Sequence, residues 1–324
     1  MTSAGVGYID VEISEVGPRD GLQSLKGFVP TATKTAWITA EAAAGVREIE
    51  VCSFVPASVV PQFTDAAAVV EHALSIPGLT VAALVPNLKG AQNAVAAGVH
   101  KITFTLSASR SHSLANVRRT PDDQLAEFAR IVAFCRTLDP ARRPFLSAGL
   151  STVFGCVYEG AVDEGEVCRL AAALAEAGAD DVSLADTTGS AHPAQVRRVV
   201  NAVRAEVGGR LTALHLHDTR GLGLANVLAG LDAGIRSFDA ALGGLGGCPF
   251  APGALGNIVT EDLVYMLEAM GLRTGVDLDR LLEARRLVEA VLPGERFVGH
   301  LHRAGVPKGF RPATIPISAA TGAA

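Results

Sequence analysis

The chain has 324 residues, 49% of them hydrophobic, with 28 Lys and Arg against 33 Asp and Glu and a formal net charge of −5. That size and apolar content bury a large core, as one α/β barrel or two smaller domains. The scattered basic residues exclude a nucleic-acid footprint, and no apolar run reaches the ~20 residues that span a membrane. The opening Met1-Thr2-Ser3-Ala4-Gly5 lacks the charged and apolar regions of a secretory signal. The five cysteines are odd in number and never form Cys-x-x-Cys, which points to a reducing compartment and away from structural zinc. A cytoplasmic protein is expected.

In chain order, strand and helix patterns alternate. A first strand over 11–16 runs into the loop Gly17-Pro18-Arg19-Asp20-Gly21 and a helix over 31–44. A second strand over 46–54 leads to a helix around 64–74, and a third over 79–85 to a helix over 88–97. The fourth strand covers 99–106. The next helix is predicted to start at Thr120, an N-cap residue type, with Pro121 in the first helical position. Strands five and six fall at 145–154 and 182–185, each followed by a helix. Ala213-Leu214-His215-Leu216-His217-Asp218-Thr219 reads as strand seven and 236–242 as strand eight, and a helix over 259–270 completes the eighth unit. A helical appendage over 278–304 follows.

A repeat supports this count. Ala44-Gly45-Val46, Ala97-Gly98-Val99, Ala177-Gly178-Ala179 and Ala233-Gly234-Ile235 each close a helix on glycine, the usual left-handed terminator. Aligned on those glycines, Ile49, Ile102, Val182 and Phe238 are apolar, and the next residues, Glu50, Thr103, Ser183 and Asp239, are polar. One face of each strand therefore meets helices and the other a polar interior. Eight such units in about 250 residues predict a (β/α)₈ TIM barrel rather than an open doubly wound sheet. The barrel is placed at 1–272, a helical extension packed on it at 273–305, and a flexible tail at 306–324.

Barrel enzymes place their chemistry where strands end. Arg19 and Asp20 follow strand one, Glu50 and Ser53 end strand two, Asp186 ends strand six, and Gly243 through Phe250, with Cys248, follows strand eight before Asn257. His215 and His217 share one strand face, roughly 6.6 Å apart along it, and suit a divalent metal. The spacing alone is weak, because His300-Leu301-His302 repeats it near the C-terminus, where it is assigned no role. Singly, each residue also has an ordinary reading: Asp20 as a turn residue, Glu50 as a solvated carboxylate, Asp186 as a helix cap, Cys248 as core filler. Their convergence on one barrel mouth favours a site.

The stretches Val16-Gly17-Pro18-Arg19-Asp20-Gly21-Leu22-Gln23, Val85-Pro86-Asn87-Leu88-Lys89-Gly90, His215-Leu216-His217-Asp218-Thr219 and Gly243 through Asn257 resemble the 3-hydroxy-3-methylglutaryl-CoA lyase family over roughly 10–290. The resemblance implies a metal-dependent retro-Claisen cleavage of a 3-hydroxyacyl-CoA, with acetyl-CoA and acetoacetate as the leading products. It implies that Asp20, His215, His217 and Asn257 ligate Mg²⁺ or Mn²⁺, a nitrogen and oxygen set without thiolate. Arg19 is expected over the thioester oxygen, Cys248 as proton donor, and Glu50 as acid/base partner, with Asp186 also catalytic. Gln23, Asn87, Lys89 and Ser183 join Arg19 in substrate binding. The expected partners are an acyl-CoA substrate and further copies of the chain, without nucleic acid or membrane.

Two positions depart from the family pattern. Arg110 stands where many relatives carry a glutamate, which changes the charge at one rim. Gly149 falls where the better-known lyase has a tyrosine near the acyl group, which leaves a larger pocket. The alternatives are a homologous lyase for another 3-hydroxyacyl-CoA, such as citramalyl-CoA, and a catalytically silent, metal-stabilised barrel that acts as a binding protein.

Overall fold

Eight parallel strands close into a barrel in sequence order, each pairing with the next and β8 with β1. They are β1 (Glu12–Glu15), β2 (Glu48–Ser53), β3 (Thr80–Leu84), β4 (Lys101–Ser107), β5 (Phe145–Ser151), β6 (Asp181–Asp186), β7 (Leu211–Leu216) and β8 (Ser237–Ala240). The structure, a computed structural model, describes residues 8–25, 27–246 and 256–314. All eight strands belong to the one closed barrel.

The expected alternation of faces is present. Ile49, Ile102, Val182 and Phe238 are at most 1% exposed and belong to the layer between strands and helices. That layer takes in α1 (Thr31–Ala43), α2 (Ala66–Leu74), α3 (Leu88–Ala97), α5 (Pro121–Arg136), α6 (Glu164–Ala177), α7 (Pro193–Val207), α8 (Gly223–Asp232) and α9 (Thr260–Ala269). The terminating glycines Gly45, Gly98, Gly178 and Gly234 all have positive φ, between 86° and 114°. α5 starts as predicted: Thr120 Oγ1 accepts from Asp123 N at 3.1 Å, and Asp123 Oδ2 accepts from Thr120 N at 2.9 Å.

Several expectations are corrected. The loop 17–21 winds into one tight turn, in which the Val16 carbonyl accepts from the amides of Arg19, Asp20 and Gly21. β7 ends at Leu216, so His217 lies just past the strand and is held by an antiparallel bridge to Asn257. A short helix, α4 (Arg110–Val117), sits on the mouth between β4 and α5. Its Ser109 cap accepts from His112 N at 3.1 Å, but the run Arg-Ser-His-Ser has no apolar period to announce a helix.

The appendage over 278–304 is not one helix. α10 (Leu278–Val291) stops before Pro293 and Gly294, and α11 (Leu301–Ala304) is a separate turn. Asp277 N bonds the Ala44 carbonyl at 2.7 Å, which docks α10 beside α1. Within the segment expected to be flexible, Phe310 lies against Tyr265 with ring centroids 5.1 Å apart. Thr314 donates to Glu268 through both its amide and its hydroxyl, each at 2.6 Å. The tail over 315–324 lies outside the described residues. Among the described residues no helix is long and apolar enough to cross a membrane.

Candidate active site at the barrel mouth

The ends of β7 and β1 bring Asp20, His215 and His217 together, each offering a ligand atom within 4.8 Å of the others. His215 Nε2 and His217 Nε2 face each other at 3.1 Å, and Asp20 Oδ2 lies 3.9 Å from His217 Nε2. Asn257 joins them from the segment ahead of α9, its Nδ2 donating to Asp20 Oδ2 at 2.7 Å. The ring of His215 is aimed by Asp239 on β8, whose Oδ2 sits 3.0 Å from Nδ1.

Electrostatics follow from burial and neighbours. Burial opposes the charged form of Asp20, but Arg19 and the two histidines outweigh it and hold the carboxyl below its ordinary range. Burial, followed by the charge of His215, pushes His217 down to about 4. His217 is therefore a neutral imidazole near pH 7, the form that binds metal. For His215, burial acts downward, but the hydrogen bond and charge of Asp239 overcome it and raise the pKa.

Next to this group Arg19 donates through Nε to Glu50 Oε2 and through a terminal nitrogen to Asp20 Oδ1, the latter at 2.8 Å. Glu50 takes a second hydrogen bond from the Thr103 hydroxyl on β4. Both Glu50 oxygens are thus engaged, and the guanidinium is fixed at the mouth. Asp186 is buried and accepts from the amides of Ser190 and Ala191, each at 3.0 Å. These are amides of the loop ahead of α7, whose cap is His192, so Asp186 braces the loop rather than capping a helix as its ordinary reading had it. Burial is the main reason its carboxyl is raised, with backbone donors acting against it.

Of the residues expected to bind substrate, Ser183 faces the interior of β6 and is half-buried. Asn87 caps α3 by accepting from Gly90 N at 3.0 Å, and Gln23 and Lys89 are exposed. Cys248 lies outside the described residues.

Two groups were missed in sequence. Asp239 and Thr103 were aligned as inward polar residues but were given no partners, and those partners sit on other strands. Glu15, fully buried, was read only as part of a strand. Its Oε1 accepts from Gly17 N at 2.8 Å and Leu242 N at 3.0 Å, and its Oε2 accepts from the Thr260 hydroxyl at 2.6 Å. One carboxyl therefore ties the turn carrying Asp20 to the segment that carries Asn257.

The donor set fits a hard or borderline divalent cation. Asn257 Oδ1 is buried with no hydrogen-bond partner, while its amide nitrogen turns to Asp20. Which amide end is oxygen is inferred from such bonds. Turned around, Oδ1 would repel the carboxylate unless a cation stood between them. Two imidazole nitrogens, a carboxylate and an amide oxygen suit such an ion.

A (β/α)₈ barrel that gathers such a group, able to hold a metal ion, at its C-terminal face has the architecture of barrel enzymes. The comparisons narrow the class. The HMGL-like family profile matches residues 10–288. Hydroxymethylglutaryl-CoA lyase YngG of Bacillus subtilis (strain 168) is 42% identical over 279 residues, covering 86% of this chain and 92% of that protein. The cytoplasmic 3-hydroxy-3-methylglutaryl-CoA lyase of Rattus norvegicus is 42% identical over 274 residues, covering 85% and 79%. The HMG-CoA lyase of A. baumannii, solved in complex with coenzyme A and 3-methylmalate, superposes with a TM-score of 0.86. It is 42% identical and covers 94% of this chain and 98% of that one. The chain belongs to the HMGL-like family.

Proposed function

We propose that this protein cleaves 3-hydroxy-3-methylglutaryl-CoA to acetyl-CoA and acetoacetate, holding Mg²⁺ or Mn²⁺ on Asp20, His215, His217 and Asn257. The observation that carries this reading is the convergence of Asp20, His215 and His217 beside the Arg19–Glu50 pair, in a chain similar to named lyases along most of its length. When bound, the ion supplies Lewis acidity that makes the C3 hydroxyl easier to ionise.

The chain's own residues account for the rest. The retro-Claisen step breaks the C2–C3 bond, turns the C3 hydroxyl into a ketone and leaves an enolate on the thioester. Arg19 offers fixed positive charge to the enolate oxygen, and Glu50 prevents it from swinging away. Glu50 and Asp186 are the buried carboxyls near the mouth that serve to relay the hydroxyl proton. Burial is the main reason both carboxyls are raised from their ordinary values, which favours their holding a proton. Cys248 delivers the proton that converts the enolate to the methyl of acetyl-CoA; an ordinary thiol, with a pKa of about 8.5, carries that proton at pH 7.

The acyl-CoA partner is supported by the relatives' names. A cytoplasmic location agrees with the cytoplasmic forms among them, although other relatives are mitochondrial. We keep a homo-oligomer as part of the reading. The test is chelation followed by metal return. Acetyl-CoA release from 3-hydroxy-3-methylglutaryl-CoA should stop with chelator and recover with Mn²⁺. Tight Mn²⁺ binding without release of acetyl-CoA would instead favour the silent binding barrel.

A further inference from the structure

A glycine in mid-strand needs a reason, because it costs backbone entropy and packs nothing. Gly149 lies inside β5, in register with Thr105 on β4 and Ser183 on β6. Its φ is not positive, so the backbone does not demand glycine. A Cβ built there would lie 3.4 Å from Ser183 Oγ, 3.5 Å from Thr105 Oγ1 and 3.8 Å from the Phe104 carbonyl, all ordinary contact distances. Crowding does not demand glycine either. Ala148 and Leu150 on either side are fully buried in the helix-facing layer, so Gly149 faces the barrel interior. It is only half-buried there, so part of its inward surface meets open space.

That room is open to the mouth. Thr105 also points inward from mid-strand, yet it is exposed, and Gly149 and Ser183 are half-buried. The wall continues with small residues: Ala213 pairs with Ser183, and Ala185 pairs with His215. The hollow therefore begins beside the histidine pair. Across the barrel, β1 and β2 present Arg19 and Glu50 instead.

We propose that Gly149 is a specificity-determining residue, and that the hollow over β4 to β6 receives the C3 branch of a 3-hydroxyacyl thioester larger than methyl. The inference rests on the lyase reading above. With the C3 hydroxyl at the Asp20–His215–His217 group and the thioester oxygen at Arg19, both on the β7–β8–β1 side, the C3 branch points across the barrel. β5 stands opposite β1 in the closed eight-strand order.

The test compares wild type, Gly149→Ala and Gly149→Val on two thioesters, 3-hydroxyglutaryl-CoA bearing a 3-methyl or a 3-propyl branch, with Mn²⁺ present. Wild type is expected to process the propyl compound with kcat/KM within about tenfold of the methyl compound. Val should lower the propyl-to-methyl ratio by at least about tenfold, chiefly through KM, because each methylene misfit is worth roughly 10–200-fold. Ala should fall between. Alanine and valine suit an extended strand better than glycine does, so neither variant should lower Tm. If Val fails to fold, the Ala ratio decides. Wild-type rejection of the propyl compound by more than about a hundredfold, or a ratio unchanged in the folded variants, overturns the inference while leaving the lyase reading intact. Release of acetyl-CoA from neither compound by wild type overturns that reading, and the inference with it.

Discussion

Asp20 and Asn257, 237 positions apart in the chain, are joined at the barrel mouth by a 2.7 Å hydrogen bond from the amide nitrogen to a carboxylate oxygen. The bond turns the Asn257 oxygen away into a buried site without a partner. A cation between the two side chains gives both oxygens a role. Asn257→Ala should therefore weaken Mn²⁺ binding by at least tenfold, about 1.4 kcal/mol. His300→Ala, at the same spacing from His302 but outside this group, should leave it unchanged. Mn²⁺ titration by electron paramagnetic resonance reads both, and an equal loss from the two variants would remove Asn257 from the ligand set.

Asp239 acts on the same centre one step back. Its carboxylate orients the His215 ring through Nδ1, leaving Nε2 for the ion. Removing such a partner typically costs 10–100-fold in metal affinity or activity. Asp239→Ala should show a loss of that size in the Mn²⁺ titration. A change under about threefold would mean that β8 holds the ring by packing alone.

Arg19 separates binding from chemistry. Arg19→Ala should retain metal and fall by about 10²–10³ in kcat, the usual range for losing one charge-stabilising donor. A fall of less than about tenfold, on the order of 1.4 kcal/mol, would assign the enolate to another group.

Stability should carry its own pH signature. Glu41 on α1 is fully buried beside Trp37 and has no cationic partner among the described residues. Burial first, and the nearby Glu15 charge second, raise it well above the ordinary 4.5. Between 4.5 and the raised value the folded state keeps a proton that the unfolded chain has lost. Folding stability from this group is therefore highest below the unfolded pKa and is lost as pH rises. Glu41→Gln should flatten that decline and be the more stable protein in urea unfolding at about pH 8, relative to about pH 5. Equal declines in variant and wild type would place the effect elsewhere.

Much of this was legible in the residues because it is periodic. The Gly45, Gly98, Gly178 and Gly234 terminators and the apolar positions after them repeat with the barrel unit, and the Thr120 cap with Pro121 marks a helix start locally. The ligand set was named through the family resemblance, while Asp20, His215 and His217 stood out as polar residues at or just past strand ends. What sequence could not show is pairing between distant elements. The Asp239–His215 bond depends on the register between neighbouring strands, and the Glu15 bracket joins segments that meet only when the barrel closes. β7 was read too long for the same reason: His217 continues the alternation in sequence, but its backbone pairs with Asn257 rather than extending the strand. α4 escaped because its eight residues lack an apolar stripe, and polar contacts hold it instead: the Ser109 cap, Glu159 on the Ser111 amide and Gln124 on the Ser113 hydroxyl.

The most direct test of the central claim is to run the reaction in D₂O with Mn²⁺ and identify the products by mass. Cleavage between C2 and C3 leaves a thioester enolate that must take one proton from an exchangeable donor. The account predicts acetyl-CoA carrying one deuterium in its methyl group, formed in equal amount with acetoacetate. Free coenzyme A and intact 3-hydroxy-3-methylglutarate would contradict it, because they would show the barrel cutting the thioester rather than the carbon–carbon bond.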